Sequence, residues 1–580
     1  MSLRADDAHK RMNQRCWLIV VGVLLPMQTL LTVWLACRDS PTSDEMAHMA
    51  AGVRILHQRD FGLYTVNPPL PKLLAVLPLL AEDVQVSWRQ YDANPALRRE
   101  WNVGQDFMWV NGTRSLWLYT VARWTCIPWT WLGLMVCYLW AKDLYGPLAG
   151  VAAAMMWTFS PAILANSALI TPDIPAAAMA VTILYRFRQY LAAPDWRGAV
   201  ITGIVLGIGQ LTKMTLLLLY PLLAVLMAIA VLKPGRDVAK QIGQFFLCVL
   251  VSVIVLNAGY LFEGTGATLG SSNFYSESLG GPRDDWDTPG NRFRGTALGT
   301  LPVPLPMAYL TGIDLQKRDF EGHWRPMYSY LRGHQQLGGW WYYYLYCLLV
   351  KVPVGTWLIA IAFLATLRCQ RDEVAENRHE ALLLWLAPIA LFAFVSSQTG
   401  FSRYYRYVLP CAPFVLIGLS RIFATSWSQP RRWWIRIGSA GLVCLIIESL
   451  AVYPHSLGFV NVVAGGPRAG HWHLLDSNVD WGQDLYHLRD WMNQHPGRRP
   501  LFLAYSGVFD PRVMGIEAPR PPEQRDGQVP PLPMGWYAVS VNHLHGYDDP
   551  AGPFTYFQSR TPQDRAGYSI LIYHVAEMTP

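Results

Sequence analysis

A few acidic and basic residues, scattered over hundreds of positions, stand beside apolar runs where an ionised side chain is costly. The stretch Ser40-Pro41-Thr42-Ser43-Asp44-Glu45-Met46-Ala47-His48 carries two adjacent acids at the start of a helix pattern. Thr42 and Glu45 have the spacing of a capping box, which accounts for Glu45 and leaves Asp44 without a local purpose. A carboxylate held beside a desolvated cavity is a natural general base for a hydroxyl, so Asp44, with Glu45 beside it, is the catalytic candidate. Asp173, in Thr171-Pro172-Asp173-Ile174-Pro175, reads as a helix N-cap. Together with Asp44 and His48 it also offers a ligand set for a divalent cation that would neutralise a leaving phosphate. Cations suited to a phosphate are Lys72 in Asn67-Pro68-Pro69-Leu70-Pro71-Lys72, Lys213 in Leu211-Thr212-Lys213-Met214, and Arg403 and Arg406 in Phe401-Ser402-Arg403-Tyr404-Tyr405-Arg406-Tyr407. Arginine forks bind phosphate oxygens in pairs. The plainer account of all four is anchoring or snorkelling at a lipid–water interface.

The elements that must bring these residues together are membrane helices. Only 15% of the 580 residues are charged, 52% are hydrophobic, and 25 Trp and 28 Tyr suit two lipid–water interfaces. The net charge of +7 comes from short basic clusters between apolar runs rather than from one basic face, which argues against nucleic acid as a partner. An uncharged stretch from Cys16 to Cys37 is about 33 Å long as a helix and reads as a retained first span, not a cleaved signal. Ten more apolar runs follow, at 117–140, 147–166, 174–190, 198–212, 214–232, 241–262, 340–367, 381–396, 407–424 and 435–453, for about eleven transmembrane helices. Run 340–367 holds Lys351 and Pro353 and is expected to break at the proline. A cytoplasmic N-terminus gathers Arg4, Lys10, Arg11 and Arg15 on one side with Arg186, Arg188, Arg197, Lys233, Arg236, Lys240, Arg368, Arg371, Arg378, Arg431 and Arg432. Segments 38–115 and 263–338 and the tail 454–580 then lie outside. The expected organisation is a mainly α membrane module over 1–453 and a small extracytoplasmic α/β domain over 454–580, with strands near 501–505, 536–541 and 568–575. Nine cysteines show neither a disulfide framework nor metal-type spacing. In the tail, Asp476, Asn478, Asp480 and Asp484 imitate a calcium loop, but Trp481 and His487 occupy the positions of its Gly and Glu.

Taken in order, "SDEMAH", "NPPLPKLL", "TPDIPAA", "LTKMT", "GHQQLGGWWYYYLYCLLVKVP" and "SRYYRYVLP" resemble the GT-C superfamily of polytopic glycosyltransferases, in the branch of protein O-mannosyltransferases and the lipid A aminoarabinose transferase. The resemblance runs over essentially the whole chain. It implies an inverting transfer of a sugar from a polyprenyl-phosphate carrier to an acceptor hydroxyl on protein, lipid or polysaccharide, outside a bacterial inner membrane. By resemblance Asp44 is the base, Asp173 a metal or donor contact, and Lys72, Lys213 and Arg403 contacts to the carrier phosphate. Where many members have His or Lys before the Pro-Pro pair, this chain has Asn67. The tail segment "FVNVVAGGPRAGHWHLLDSNVDWGQDLYHLRDWM" resembles a C-terminal stretch of a bacterial subgroup. The competing expectation is a transporter or flippase of lipid-linked sugars, which would use the intramembrane charges Lys351 and Glu448; the absence of matching halves speaks against it.

Overall fold

The computed structural model describes residues 2–232, 235–285, 287–321, 326–367, 378–424, 432–525, 527–547, 549 and 551–577. Lys233, Arg368, Arg371 and Arg431 of the basic clusters lie outside the described residues. The architecture is a polytopic helical membrane fold with small sheets on one end. Six helices among the described residues are long and apolar enough to cross a bilayer: Arg11–Arg38, Met214–Val231, Val238–Gly259, Glu380–Ser397, Tyr405–Phe423 and Trp433–Val452. Two bent pairs bring the number to eight if each is one span.

That is fewer than the eleven expected, for a physical reason. Hydropathy cannot separate a helix buried against protein from one bathed in lipid. Run 117–140 breaks into Arg114–Trp124 and Ile127–Tyr145. Trp196–Gln210 has 15 residues, about 22 Å of helix, too short for a ~30 Å hydrocarbon core. Asp173–Ala192 is buried along most of its length, and its last turns carry Arg186 and Arg188. The expected break at Pro353 is present: Tyr343–Lys351 and Val354–Thr366 meet at 108°. Lys351 is held by backbone carbonyls. Its ammonium donates to Leu457 O at 3.0 Å and Asn478 O at 2.7 Å, pegging the tail to the membrane module. Glu448 likewise accepts from Gly355 N at 3.2 Å between two packed helices.

The segment after the first span forms a shelf of short helices, Ser43–Gln58, Pro69–Val76 and Glu100–Asn111. Close approach is what fixes it. A Cβ on Gly104 would stand 2.6 Å from Met46 O, and one on Gly52 would stand 2.4 Å from Lys72 O, so both crossings need glycine. The helix Met307–Glu321 packs on this shelf, and a hairpin of β1 (Tyr328–Leu331) and β2 (His334–Leu337) packs on the tail, its turn placing Arg332 and Gly333 at φ of 53° and 80°. Two successive left-handed residues are what a tight hairpin turn of matching twist requires.

The tail builds a four-stranded sheet from β3 (Leu501–Ala504), β4 (Gly535–Ser540), β5 (Asp564–Ala566) and β6 (Ile570–Val575), in the order β3-β4-β6-β5. β3 and β4 are parallel, the other pairs antiparallel. The helix Leu485–Gln494 buries Leu485, Leu488 and Trp491. Just before it, the loop at 480–485 is clasped to residues 40–43: Ser40 N donates to Gln483 O at 2.9 Å, Ser43 N to Trp481 O at 3.1 Å, and Ser40 Oγ to Gly482 O at 2.8 Å.

Candidate active site

The clasp explains how residues hundreds of positions apart reach one place. Thr42 caps the helix Ser43–Gln58, with Thr42 N donating to Glu45 Oε2 at 2.8 Å. Glu45 turns inward to meet Arg123, whose Nε and Nη2 reach its two oxygens at 2.8 and 2.6 Å. Ile170 N adds a third bond at 2.9 Å, and Arg123 spends its remaining donors on the carbonyls of Ala36, Asp39 and Ser40. Both partners are buried, 0% and 1% exposed. With both oxygens engaged by one guanidinium and two backbone amides, Glu45, the second catalytic candidate of the sequence, ties the helix Ser43–Gln58 to the helix Arg114–Trp124.

One residue earlier, Asp44 points the other way, into a cavity of about 510 Å³. Its Oδ2 accepts from Arg406 Nη2 at 2.8 Å across 362 residues of chain. Arg406 Nε lies 3.7 Å from Asp173 Oδ2, and Asp173 Oδ1 accepts from Lys213 Nζ at 2.6 Å. The result is an alternating row Asp44, Arg406, Asp173, Lys213. The guanidinium of Arg406 is held edge and face: its centre lies 3.9 Å from the Trp481 ring and 4.5 Å from the Tyr404 ring. One of its donors, Nη1, is buried with no hydrogen-bond partner. Arg403 also lines the cavity; its Nε donates to Tyr328 O at 2.8 Å and its guanidinium lies 4.8 Å from the Tyr547 ring. Across the cavity Arg98 is committed to Asp319, at 3.1 and 2.8 Å, and to Glu100 at 2.6 Å.

Exposure separates the two acids of the row. Asp44 keeps 21% of its side chain open, whereas Asp173 keeps 2%. Burial raises the Asp44 carboxyl above its ordinary range against the lowering pull of Arg406, and the charge of Asp173 adds to the rise. Of the two, Asp44 is the carboxylate that an incoming group can reach. His48 lines the same cavity but is held well below its ordinary value by burial and then by Lys72, Arg406 and Lys213, so it is neutral.

The sequence-derived set therefore divides. Asp44, His48, Asp173, Lys213, Arg403 and Arg406 line one cavity. Lys72 does not: its ammonium donates to Tyr64 O and Asn67 O, each at 2.9 Å, beneath the wall, and burial lowers it to about 7. An ammonium that closes a turn in this way has less left to offer a phosphate. A divalent ion on Asp44, Asp173 and His48 fits poorly as well. Both acids are already bridged by Arg406 and balanced by Lys213, and an ion would have to displace a guanidinium that two rings and two carboxylates hold in place. Among the described residues these three do not form a cluster with ligand atoms within 4.8 Å of one another.

Trp481, Asp476, Asp480, Tyr404 and Tyr547 also line the cavity, and none was singled out for it in the sequence. Asp480 accepts from Gly482 N at 3.2 Å and from the Ser540 hydroxyl, and burial raises its carboxyl to about 6. The side chains of the calcium-like stretch diverge: Asn478 Nδ2 donates to Arg403 O and Tyr343 Oη, and Asp484 faces away to accept from Tyr568 N and Ser569 N. The available signal was the unexplained run of polar residues with one tryptophan in the tail.

Residues 118–260, which include Arg123, Asp173 and Lys213, match the family described as dolichyl-phosphate-mannose-protein mannosyltransferase. Among solved structures, ArnT from Cupriavidus metallidurans bound to undecaprenyl phosphate is similar over 96% of this chain and 97% of that one, at 12% identity and a TM-score of 0.46. The archaeal oligosaccharyltransferase AglB from Archaeoglobus fulgidus, in complex with an inhibitory peptide and a dolichol-phosphate, is similar over 74% of this chain and 55% of that one, at 14% identity and a TM-score of 0.43. No curated protein matches the sequence significantly.

Proposed function

We propose that this protein is a membrane glycosyltransferase that moves a sugar, with inversion, from a polyprenyl-phosphate carrier to an acceptor hydroxyl on the extracytoplasmic side. The single observation that carries the reading is the Asp44–Arg406 contact on the cavity wall, with Asp173, Lys213 and Arg403 around it. Inverting transfer needs a base on one side of the sugar carbon and stabilisation of the departing phosphate on the other. Asp44 has the exposure and the raised carboxyl to take the proton of the acceptor hydroxyl as its oxygen attacks. Lys213, Arg403 and the unspent donor of Arg406 supply cationic hydrogen bonds for the phosphate as the carbon–oxygen bond to it breaks. These cations interleave with the lining carboxylates, so the cavity offers a departing phosphate specific cationic donors rather than a net positive field.

The family match over 118–260 supports the class of reaction, since it covers the segment that supplies Asp173 and Lys213. In this reading residues 1–453 are the membrane module, 454–580 are an extracytoplasmic domain that completes the cavity with Trp481, and the basic loops face the cytoplasm of a bacterial inner membrane. The acceptor is a hydroxyl on protein, lipid or polysaccharide. The test is reconstitution of the purified protein with radiolabelled polyprenyl-phosphate sugar. Consumption of the donor that depends on the protein supports the transferase; donor that changes leaflet intact, or stays where it is, refutes it.

A further inference from the structure

A second cluster lies on the far side of the 480–485 loop from the cavity. His455 follows the span Trp433–Val452 by three residues, and Asp484 and His487 begin the helix Leu485–Gln494. One nitrogen or oxygen from each lies within 4.8 Å of those from the other two, the single such group among the described residues. His455 Nδ1 stands 3.8 Å from Asp484 Oδ1, too far for a hydrogen bond. His455 Nδ1 and His487 Nε2 are both shut off from solvent and have no hydrogen-bond partner among the described residues. Two buried ring nitrogens left unsatisfied side by side call for an explanation.

Asp484 is already oriented as a ligand would be. Its Oδ2 accepts from Tyr568 N at 3.0 Å and Ser569 N at 2.9 Å, which leaves Oδ1 turned toward the histidines. The carboxylate is seated against Gly567, where a Cβ would come within 2.2 Å of it. Backbone donors that fix a ligating carboxylate are what outer-shell support of a metal looks like. The surrounding charge is mixed: Arg38 opposes a cation but is engaged by Asp490 at 3.4 Å, and the buried acid Asp39 feels both His455 and Asp484.

We propose that His455, Asp484 and His487 bind one zinc ion, as a two-imidazole, one-carboxylate site that ties the tail to the end of the last membrane span. Imidazole and carboxylate ligands suit zinc, and tetrahedral bonds of about 2.0–2.2 Å place ligand atoms roughly 3.3 Å apart, so the three side chains close in by about an ångström or so. The role is structural. It fixes the start of the helix whose preceding loop carries Asp480 and Trp481 to the cavity, and it does not depend on which reaction the cavity performs.

The full-length protein, purified in detergent and stripped with a chelator, is titrated with zinc chloride and separately with cobalt chloride. One equivalent of tightly bound zinc is expected, with visible d–d bands from the cobalt form. Asp484→Asn, which keeps the size of the side chain, and His455→Gln with His487→Gln should each lose that equivalent. His495→Gln, on the same helix but with its ring bonded to Trp491 O, should bind as wild type does. Absence of d–d bands in the wild type, which requires no variant to fold, overturns the site. Unchanged zinc stoichiometry in the double histidine variant overturns it equally.

Discussion

Replacing Asp44 by Asn separates the base from the scaffold. The substitution keeps size and one acceptor oxygen, so Arg406 Nη2 retains a partner at the 2.8 Å position, while Asp173 still faces its Nε at 3.7 Å. Removing one member of a buried ion pair outright typically costs about 3–5 kcal/mol. Here the surviving acceptor and second carboxylate bring the expected loss of stability down to about 1–3 kcal/mol, the range for a weakened charged hydrogen bond. Folding should therefore persist, visible as an unchanged gel-filtration profile and a modestly lower melting temperature in detergent. Turnover should not persist: a positioned base contributes roughly two to four orders of magnitude, so kcat falls by about 10²–10⁴. The donor KM should stay level or drop, since the cavity loses a negative charge beside its phosphate-facing cations. Transfer measured under saturating and limiting donor distinguishes the cases. If kcat is kept and donor KM climbs a hundredfold, Asp44 serves only to hold Arg406, and the base assignment fails.

Glu45→Gln should act on folding and not on chemistry: it leaves the buried Arg123 without a counter-charge, at a cost of about 3–5 kcal/mol, so the yield of folded protein collapses while the specific activity of what remains is preserved. Lys213→Met should raise the donor KM about 10- to 100-fold, whereas Lys72→Met, which strands two carbonyls at a turn, should lower thermal stability by about 1–3 kcal/mol and move KM by less than threefold. Asp480 gives a pH signature. Its folded-state carboxyl lies at about 6, above the ordinary 3.8, so the fold favours the protonated form; the stability this supplies is present below pH 4 and lost as pH rises from 4 to 6. Melting curves of wild type and Asp480→Asn should therefore diverge across that interval, by about 3 kcal/mol in favour of the variant at pH 7. Parallel curves would show that Asp480 titrates normally.

The sequence by itself determined the solvent of this protein and the chemical types near its outer surface. Low charge, apolar runs and interfacial aromatics specify a polytopic membrane chain because hydrocarbon excludes nearly everything else. Ionised residues at the ends of those runs stand out because so few are tolerated there, which singles out Asp44, Asp173, Lys213, Arg403 and Arg406 as residues to place, and the structure puts all five on one cavity. Only the tertiary structure decided which of them act on what. Adjacent residues of one helix turn face different surroundings, so Asp44 opens to the cavity while Glu45 closes on Arg123, and no spacing rule announces an arginine 78 residues away. Lys72 and Lys213 look alike as lysines beside apolar runs, yet one satisfies two carbonyls and the other a carboxylate. Hydropathy registers that a segment avoids water but not whether protein or lipid replaces it, which is why eleven apolar runs yield six to eight crossings among the described residues. Trp481 and Asp480 reach the cavity, and His455, Asp484 and His487 reach one another, because the tail folds back on residues 40–43, a long-range contact encoded by packing and carried by no local pattern.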